Sequence, residues 1–302
     1  MVVNTLSAQE RVLSLSGNWK FTIGDREEYA LPPYNDNGWK EIKVPGTWED
    51  QGFNGFDGFA WYRIQFDGSA LPEGPLTLDL GYIDDCDEVY LNGELIGYSG
   101  GFPPKFYTAY GAHREYSIPE VYLNRKGPNI IAVRIFDVTL EGGIVKGDPG
   151  IYQKKRSDGL LIDLAGIWEF RRGKSQRDKW EHIMVPMPWE RDGHNHYDGF
   201  GWYRKEFKVS SEYANRDLLL IAGKIDDFDK TYVNGRLIGE TNDGRPYGRS
   251  FSVGKKRVYR IPAGVLKPGE NVITILVEDM GNVGGIYEGP IGITTKELWD
   301  HK

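Results

Sequence analysis

Cysteine is all but missing. Cys86 stands alone in the chain, so no disulfide can form within it, and the count does not decide the redox compartment. Histidine is scarce, at five residues. Positive charge is in deficit: 37 Lys and Arg face 44 Asp and Glu, a net charge of -7. No basic run tracks a phosphate backbone, so no nucleic-acid partner is expected. No apolar stretch approaches the roughly 20 residues of a membrane helix, so no membrane partner is expected either. Long amphipathic helical periodicity is absent. The opening "MVVNTLSAQE" has no charged n-region, and its apolar run is too short for a signal peptide. Its "LSAQ" reads either as the stub of a cleaved signal or as a plain disordered terminus. A periplasmic or extracellular location is expected on that basis, with the cytoplasm as the alternative.

What is abundant is turn and strand material. Glycine numbers 39 and aromatics make up 13% of the chain, which suits short strands joined by tight turns. At 302 residues the chain is long for one domain and comfortable for two. Its motifs occur twice. "SGNWKF" from Ser16 returns as "AGIWEF" from Ala165, 149 residues on. "VPGTWE" from Val44 returns as "VPMPWE" from Val185, 141 on. "FDGFAWYR" (Phe56 to Arg63) returns as "YDGFGWYR" (Tyr197 to Arg204). "IDDCDEVYLNG" from Ile83 returns as "IDDFDKTYVNG" from Ile225, 142 on. Constant order and nearly constant spacing mean a tandem duplication of whole domains, 1–155 and 156–302. The seam falls in the charged, turn-rich "QKKRSDG". The early difference in spacing means that the first copy has a longer loop before Trp39.

In the first copy, "WKFTI", "EIKVP", "WYRIQF", "LTLDLGYI", "EVYLN", "ELIGY", "REYSIP" and "NIIAVRIFD" read as strands. About eight strands in a domain of this size predict a two-sheet jelly roll, so the fold class is all-β, two tandem jelly-roll β-sandwiches. If successive strands run antiparallel, alternate loops gather at one end. That rim collects Trp48, Glu49, Asp57, Asp84, Asp85, Asp87, Asp137 and the Gly142–Gly143 turn. Phe102, Tyr107 and Tyr110 join them. The second rim collects Trp189, Glu190, Asp198, Asp226, Asp227, Asp229, Asp279 and Gly284–Gly285. Asn92-Gly93 and Asn234-Gly235 read as two-residue hairpin turns, purely conformational in role.

Four segments of the second copy carry a family resemblance: "PWERDGHNHYDGFGWYRKEF", "GKIDDFDKTYVNGRLIG", "RVYRIPAGVLKPGENVITILVED" and "GGIYEGPIGI". They resemble the jelly-roll, galactose-binding-like module that accompanies sialate O-acetylesterases. More distantly they resemble the sugar-binding domain of glycoside hydrolase family 2 enzymes such as β-galactosidases. The first copy matches at "TWEDQGFNGFDGFAWYRIQF", "YIDDCDEVYLNGELIG" and "GPNIIAVRIFD". The resemblance implies an ancillary domain of carbohydrate-active proteins. Those esterases carry a nucleophilic Ser in a Gly-x-Ser-type turn and a distant Asp-x-x-His, and family 2 hydrolases use paired Glu residues on a TIM barrel. Neither set is found here, so no hydrolytic activity is expected. Paired carboxylates such as Glu49 and Asp57 are candidates for an acid and base, at a separation that a sequence does not measure.

Three chemistries compete for the Asp groups. They accept backbone hydrogen bonds at the sheet end, the favoured reading, or bind calcium, or contact a sugar directly. No cofactor is therefore expected, with structural calcium as the alternative. "HNH" (His194 to His196) is read as a surface loop, since two His make an incomplete metal site. Most tryptophans sit in or beside strands and are assigned to the core. Trp48 and Trp189 lie just past a strand, beside Glu49 and Glu190. An exposed indole next to a carboxylate suits a pyranose, whose C–H face stacks while its hydroxyls bond the acid. The alternative is a Trp lid closing the sandwich. The candidate ligand-binding residues are Trp48, Glu49, Asp57, Asp85, Trp189, Glu190, Asp198 and Asp227. The leading function is non-catalytic carbohydrate recognition in a glycan-degrading system. A glycoside hydrolase or a fragment of one lacking its catalytic barrel is the alternative. A structural module docking a catalytic partner is the third reading.

Overall fold

The structure, a computed structural model, describes residues 10–153, 159–173, 179–192, 194, 197–242, 251–281 and 283–300. It divides into two compact units, Met1–Lys155 and Arg156–Lys302. The strands of the first are β1 (Glu10–Ser14), β2 (Gly17–Ile23), β3 (Lys40–Val44), β4 (Gly58–Asp67), β5 (Leu76–Asp84), β6 (Cys86–Leu91), β7 (Glu94–Ser99), β8 (His113–Ile118), β9 (Pro128–Asp137), β10 (Gly143–Lys146) and β11 (Gly150–Gln153). One sheet runs β3-β2-β4-β9-β6-β7 and the other β1-β11-β5-β10, with β8 paired to β5.

The second unit has β12 (Ile162–Asp163), β13 (Gly166–Arg172), β14 (Glu181–Val185), β15 (Gly199–Val209), β16 (Leu218–Asp226), β17 (Phe228–Val233), β18 (Arg236–Thr241), β19 (Lys256–Ile261), β20 (Gly269–Asp279) and β21 (Gly285–Thr294). Its six-stranded sheet, β14-β13-β15-β20-β17-β18, repeats the order of the first unit's. Its other sheet is β12-β21-β16-β19. Here β21 does alone what β10 and β11 do in two pieces.

Each unit is thus the all-β, two-sheet sandwich expected. Alternation drives it. In β20, Ile273, Ile275 and Val277 are buried while Val272, Thr274 and Leu276 between them are less so, the period of two that puts one face inward. Between the sheets of the second unit lie Trp168, Phe170, Trp189, Tyr203, Leu220, Ile225, Ile286 and Ile293. Such side chains contribute about 1.5 to 3 kcal/mol each on burial. The first unit has eleven strands, not the eight expected. The three missed, β1, β10 and β11, are four or five residues long, and Gly147, Asp148 and Pro149 interrupt the last two. Among the described residues no helix is long and apolar enough to cross a membrane.

Both hairpin turns have the positive φ expected: 54° at Asn92 and 90° at Gly93, 50° at Asn234 and 78° at Gly235. The Asn side chains do more than permit the turn. Asn92 Nδ2 donates to the Tyr122 carbonyl and to Asn129 Oδ1, and its Oδ1 accepts from Ile130 N–H. Asn234 makes the same three bonds, with Val265, Asn271 and Val272. The purely conformational reading missed this tie between hairpin and neighbouring strand.

Candidate functional site

The strand-end loops meet as alternate-strand bookkeeping expects. Trp48 N–H donates to the Gly142 carbonyl (3.1 Å), and Gly142 N–H donates to Glu49 Oε2 (3.1 Å). Asp85 N–H donates to the Phe136 carbonyl, and the Asp85 carbonyl accepts from Ala109 N–H (3.0 Å). In the second unit Trp189 N–H donates to the Gly284 carbonyl, Gly284 N–H to Glu190, and Asp227 N–H to the Glu278 carbonyl.

The indoles are not exposed. Trp48 and Trp189 both have 0% of their surface accessible, which corrects the expectation of an aromatic wall for a sugar. Each is the lid of its sandwich. Trp48 Nε1 donates to the Phe56 carbonyl (3.1 Å) and Trp189 Nε1 to the Tyr197 carbonyl (3.0 Å). The Gly-Gly turn of each unit closes on the ring so tightly that a Cβ at Gly142 would lie 2.1 Å from Trp48, and one at Gly284 2.2 Å from Trp189. Glycine is required there by space. Glu49 and Glu190 bend onto those same turns and accept from Gly142 and Gly284 N–H. Of the eight candidates only Asp57 and Asp198 are exposed. His194 is buried against the Phe170 ring, not at a surface, while Asn195 and His196 fall outside the described residues.

The carboxylates divide into two devices. Asp87 is fully buried and bonds Arg114 Nε (2.7 Å) and the Tyr116 hydroxyl. Arg114 also donates to the carbonyls of Ala109, Ala112 and Asp85. Asp229 is held the same way by Arg257 (3.0 Å) and Tyr259, and Arg257 reaches the carbonyls of Ser252, Lys255, Ile225 and Asp227. These two arginines were not singled out from the sequence. The signal was the repeated Arg-x-Tyr of "HREYSI" and "KRVYRI".

The second device is a triad. Carboxylate oxygens of Asp84, Asp85 and Asp137 lie within 4.8 Å of one another, as do those of Asp226, Asp227 and Asp279. The Asp84–Asp85 and Asp226–Asp227 peptide bonds are both cis. Asp85 accepts from the Thr108 hydroxyl and from Val138 N–H, and Asp227 from Met280 N–H (2.9 Å). Those bonds fit the turn-acceptor reading. Asp137 does not fit: it is fully buried, and neither oxygen has a hydrogen-bond partner of ordinary geometry. Burial, then the charges of Asp84 and Asp85, push its carboxyl up to about 7, opposed only weakly by the Thr139 backbone. Asp84 is pushed to about 6 by burial and by Asp85. Asp226 rises to about 7 by burial and by Asp227, and Asp279 to about 6 chiefly by burial. Asp85 and Asp137 are 6% and 0% exposed.

One further concavity, of about 510 Å³, is lined by Arg172, Gly173, Lys179, Glu181 and Tyr197 in the second unit. Its lining residue Tyr197 directly precedes the rim residue Asp198 in the chain.

Comparison with known proteins follows the same lines. Residues 174–283 match the family described as the β-galactosidase second all-beta domain. The chain is 27% identical over 144 residues to β-galactosidase BoGH2A of Bacteroides ovatus, a match that covers 43% of this chain and 16% of that protein. Among solved structures it is similar to a Bacteroides uniformis β-glucuronidase, with 19% identity over 88% of this chain and 28% of that one, TM-score 0.39. It is likewise similar to a β-glycosidase of Bacteroides vulgatus, with 18% identity over 88% of this chain and 29% of that one, TM-score 0.36. The aligned part is less than a third of each relative's length. The sialate O-acetylesterase side of the resemblance rests on the sequence motifs alone. The chain carries all-β domains similar to those of glycoside hydrolase family 2 proteins.

Proposed function

We propose that the chain is a pair of non-catalytic β-sandwich modules of a carbohydrate-processing system, and that its second unit contacts saccharide. The match of residues 174–283 to a β-galactosidase all-β domain carries this reading. The cleft lined by Arg172, Lys179, Glu181 and Tyr197 supports it. Its volume suits a small ligand. Exposed Lys179 and Glu181, with Arg172 over the Tyr197 ring, offer hydroxyls both donors and acceptors. A wet, open cleft gives modest affinity, on the order of 0.1 to 1 mM. The test is titration of galactose and of glucuronate, followed by amide chemical shifts. Binding that disappears in the K179A/E181A double variant, with the fold retained, is expected. Absence of binding, or binding unchanged in that variant, would overturn the reading. Because the aligned part is so small a share of each relative, a second reading is that the units position a catalytic partner. It predicts that the chain raises the stability or turnover of a separately made family 2 catalytic domain. No effect on either would dismiss it.

A further inference from the structure

We propose that each unit holds one divalent cation of the calcium class at the end of its sandwich, on Asp84, Asp85 and Asp137 in the first and on Asp226, Asp227 and Asp279 in the second.

The convergence comes first. Calcium takes oxygen ligands at about 2.3 to 2.6 Å, so oxygens on opposite sides of one ion stand about 4.8 Å apart. The oxygens of each triad fall within that span. All are hard carboxylate donors, which suits calcium or magnesium and not a thiolate-preferring metal.

The unpaired carboxylate comes second. Asp137 is fully buried at the end of β9, and neither oxygen has a donor of ordinary hydrogen-bond geometry, the Thr139 backbone being its one contact of that kind among the described residues. Asp279 is 3% exposed, and its Oδ2 lacks one, while Gly281 N–H serves its Oδ1 (3.0 Å). A carboxylate without donors in the interior carries a heavy desolvation cost. Among the described residues the guanidiniums nearest the triads do not relieve it, since those of Arg114 and Arg257 are spent on Asp87, Asp229 and surrounding carbonyls. Nearby, Glu49 Oε1 is buried with no donor as well, which adds to the uncompensated negative charge. The arrangement occurs in both units although the residues around it differ, with Cys86 and Phe136 where the second unit has Phe228 and Glu278.

The alternative occupant is a proton shared among the carboxylates, and the experiment separates the two. The full chain is stripped with chelator, re-equilibrated with calcium and desalted, and its bound metal is counted by elemental analysis. Terbium luminescence, sensitised by the tryptophans and competed by calcium or magnesium, reads the same sites in solution. Two equivalents are expected for the wild type. One is expected in each of the isosteric variants Asp137→Asn and Asp279→Asn. Saturating calcium should raise the melting temperature by roughly 5 to 10 °C. A folded, chelator-stripped protein that takes up no ion and shows no melting shift in millimolar calcium would overturn the proposal and leave the proton. So would full occupancy in both variants, which would put the ions elsewhere. The terbium titration of the wild type stands even if a variant fails to fold. Saccharide binding is not involved, so failure here leaves the proposed function untouched.

Discussion

The two units agree at one end and disagree on one face. At the rim each has the same Trp lid, Gly-Gly turn, buried Asp–Arg pair and Asp triad. On the outside of the six-stranded sheet they differ. The first unit covers it with the loop between β2 and β3, where Tyr29 and Ala30 pack with Tyr34, Trp39, Trp61, Tyr90 and Ala132. Arg63 lies under that loop at 2% side-chain exposure, bonded to Asp36 (2.8 Å) and to the carbonyls of Tyr29 and Leu31. Its counterpart Arg204 is 35% exposed and pairs with Glu169 (3.0 Å) and Glu206 (2.7 Å). The same arginine is an interior anchor in one copy and a surface charge in the other. Duplicated sequence fixes an end whose polar groups must satisfy one another. It leaves the surroundings of an outer-face residue free to differ.

Breaking what the copies share should cost most. Arg114→Met and Arg257→Met each leave a buried aspartate unpaired, and each should destabilise its unit by about 3 to 5 kcal/mol in chemical denaturation. A silent variant in either unit would mean that its pair is not the common anchor. Trp48→Ala and Trp189→Ala should cost about as much, roughly 3 to 5 kcal/mol, because each empties the lid of a core. Loss of saccharide binding with stability intact would instead return the indoles to the surface.

The difference between the copies is tested next. Arg63→Met should cost about 3 kcal/mol, since it strands Asp36 and two carbonyls. Arg204→Met should cost under about 1 kcal/mol, as an exposed pair does. Equal losses would erase the distinction drawn here.

The one stabilising change concerns Lys205. It occupies the place of Ile64, one residue beyond the Tyr-Arg that the two copies share in "WYRKEF" and "WYRIQF". Its ammonium donates to the Ile167 carbonyl (2.6 Å), and burial lowers its pKa to about 8. Below that pH the lysine is charged in both the folded and unfolded states, and the fold bears the full cost of burying the charge. Between about 8 and the ordinary lysine range the folded form sheds its proton while the unfolded form keeps it, so stability rises with pH. Lys205→Ile should therefore stabilise the second unit at neutral pH by about 1 kcal/mol. Its advantage should shrink above pH 8. A pH-independent difference in melting temperature would show that the ammonium is not desolvated.

Much of this was legible in the residues. The duplication, the strands and the hairpin turns follow from local pattern, because alternation and positive-φ turns are short-range properties. The meeting of Trp48, Glu49, Asp85 and Gly142 was legible too, since antiparallel strands force alternate loops to one end. The exposure of a side chain was not. Trp48 beside Glu49 reads equally as a sugar wall or a lid, and the Gly142 turn that closes on it lies more than ninety residues away. Arg114 looked like any strand cation until the fold set it against Asp87.

The sequence by itself determined two β-sandwich units, their shared strand order along the chain and the gathering of acids at one rim, because periodicity, turn chemistry and repetition act locally. Only the tertiary structure decided which of those acids are neutralised. Asp87 and Asp229 meet a guanidinium, Asp85 and Asp227 meet backbone N–H groups, and Asp137 at the end of β9 meets no guanidinium and, among the described residues, no donor of ordinary geometry. Whether a buried charge is balanced depends on what distant strands bring within about 4 Å of it, and no spacing along the chain records that.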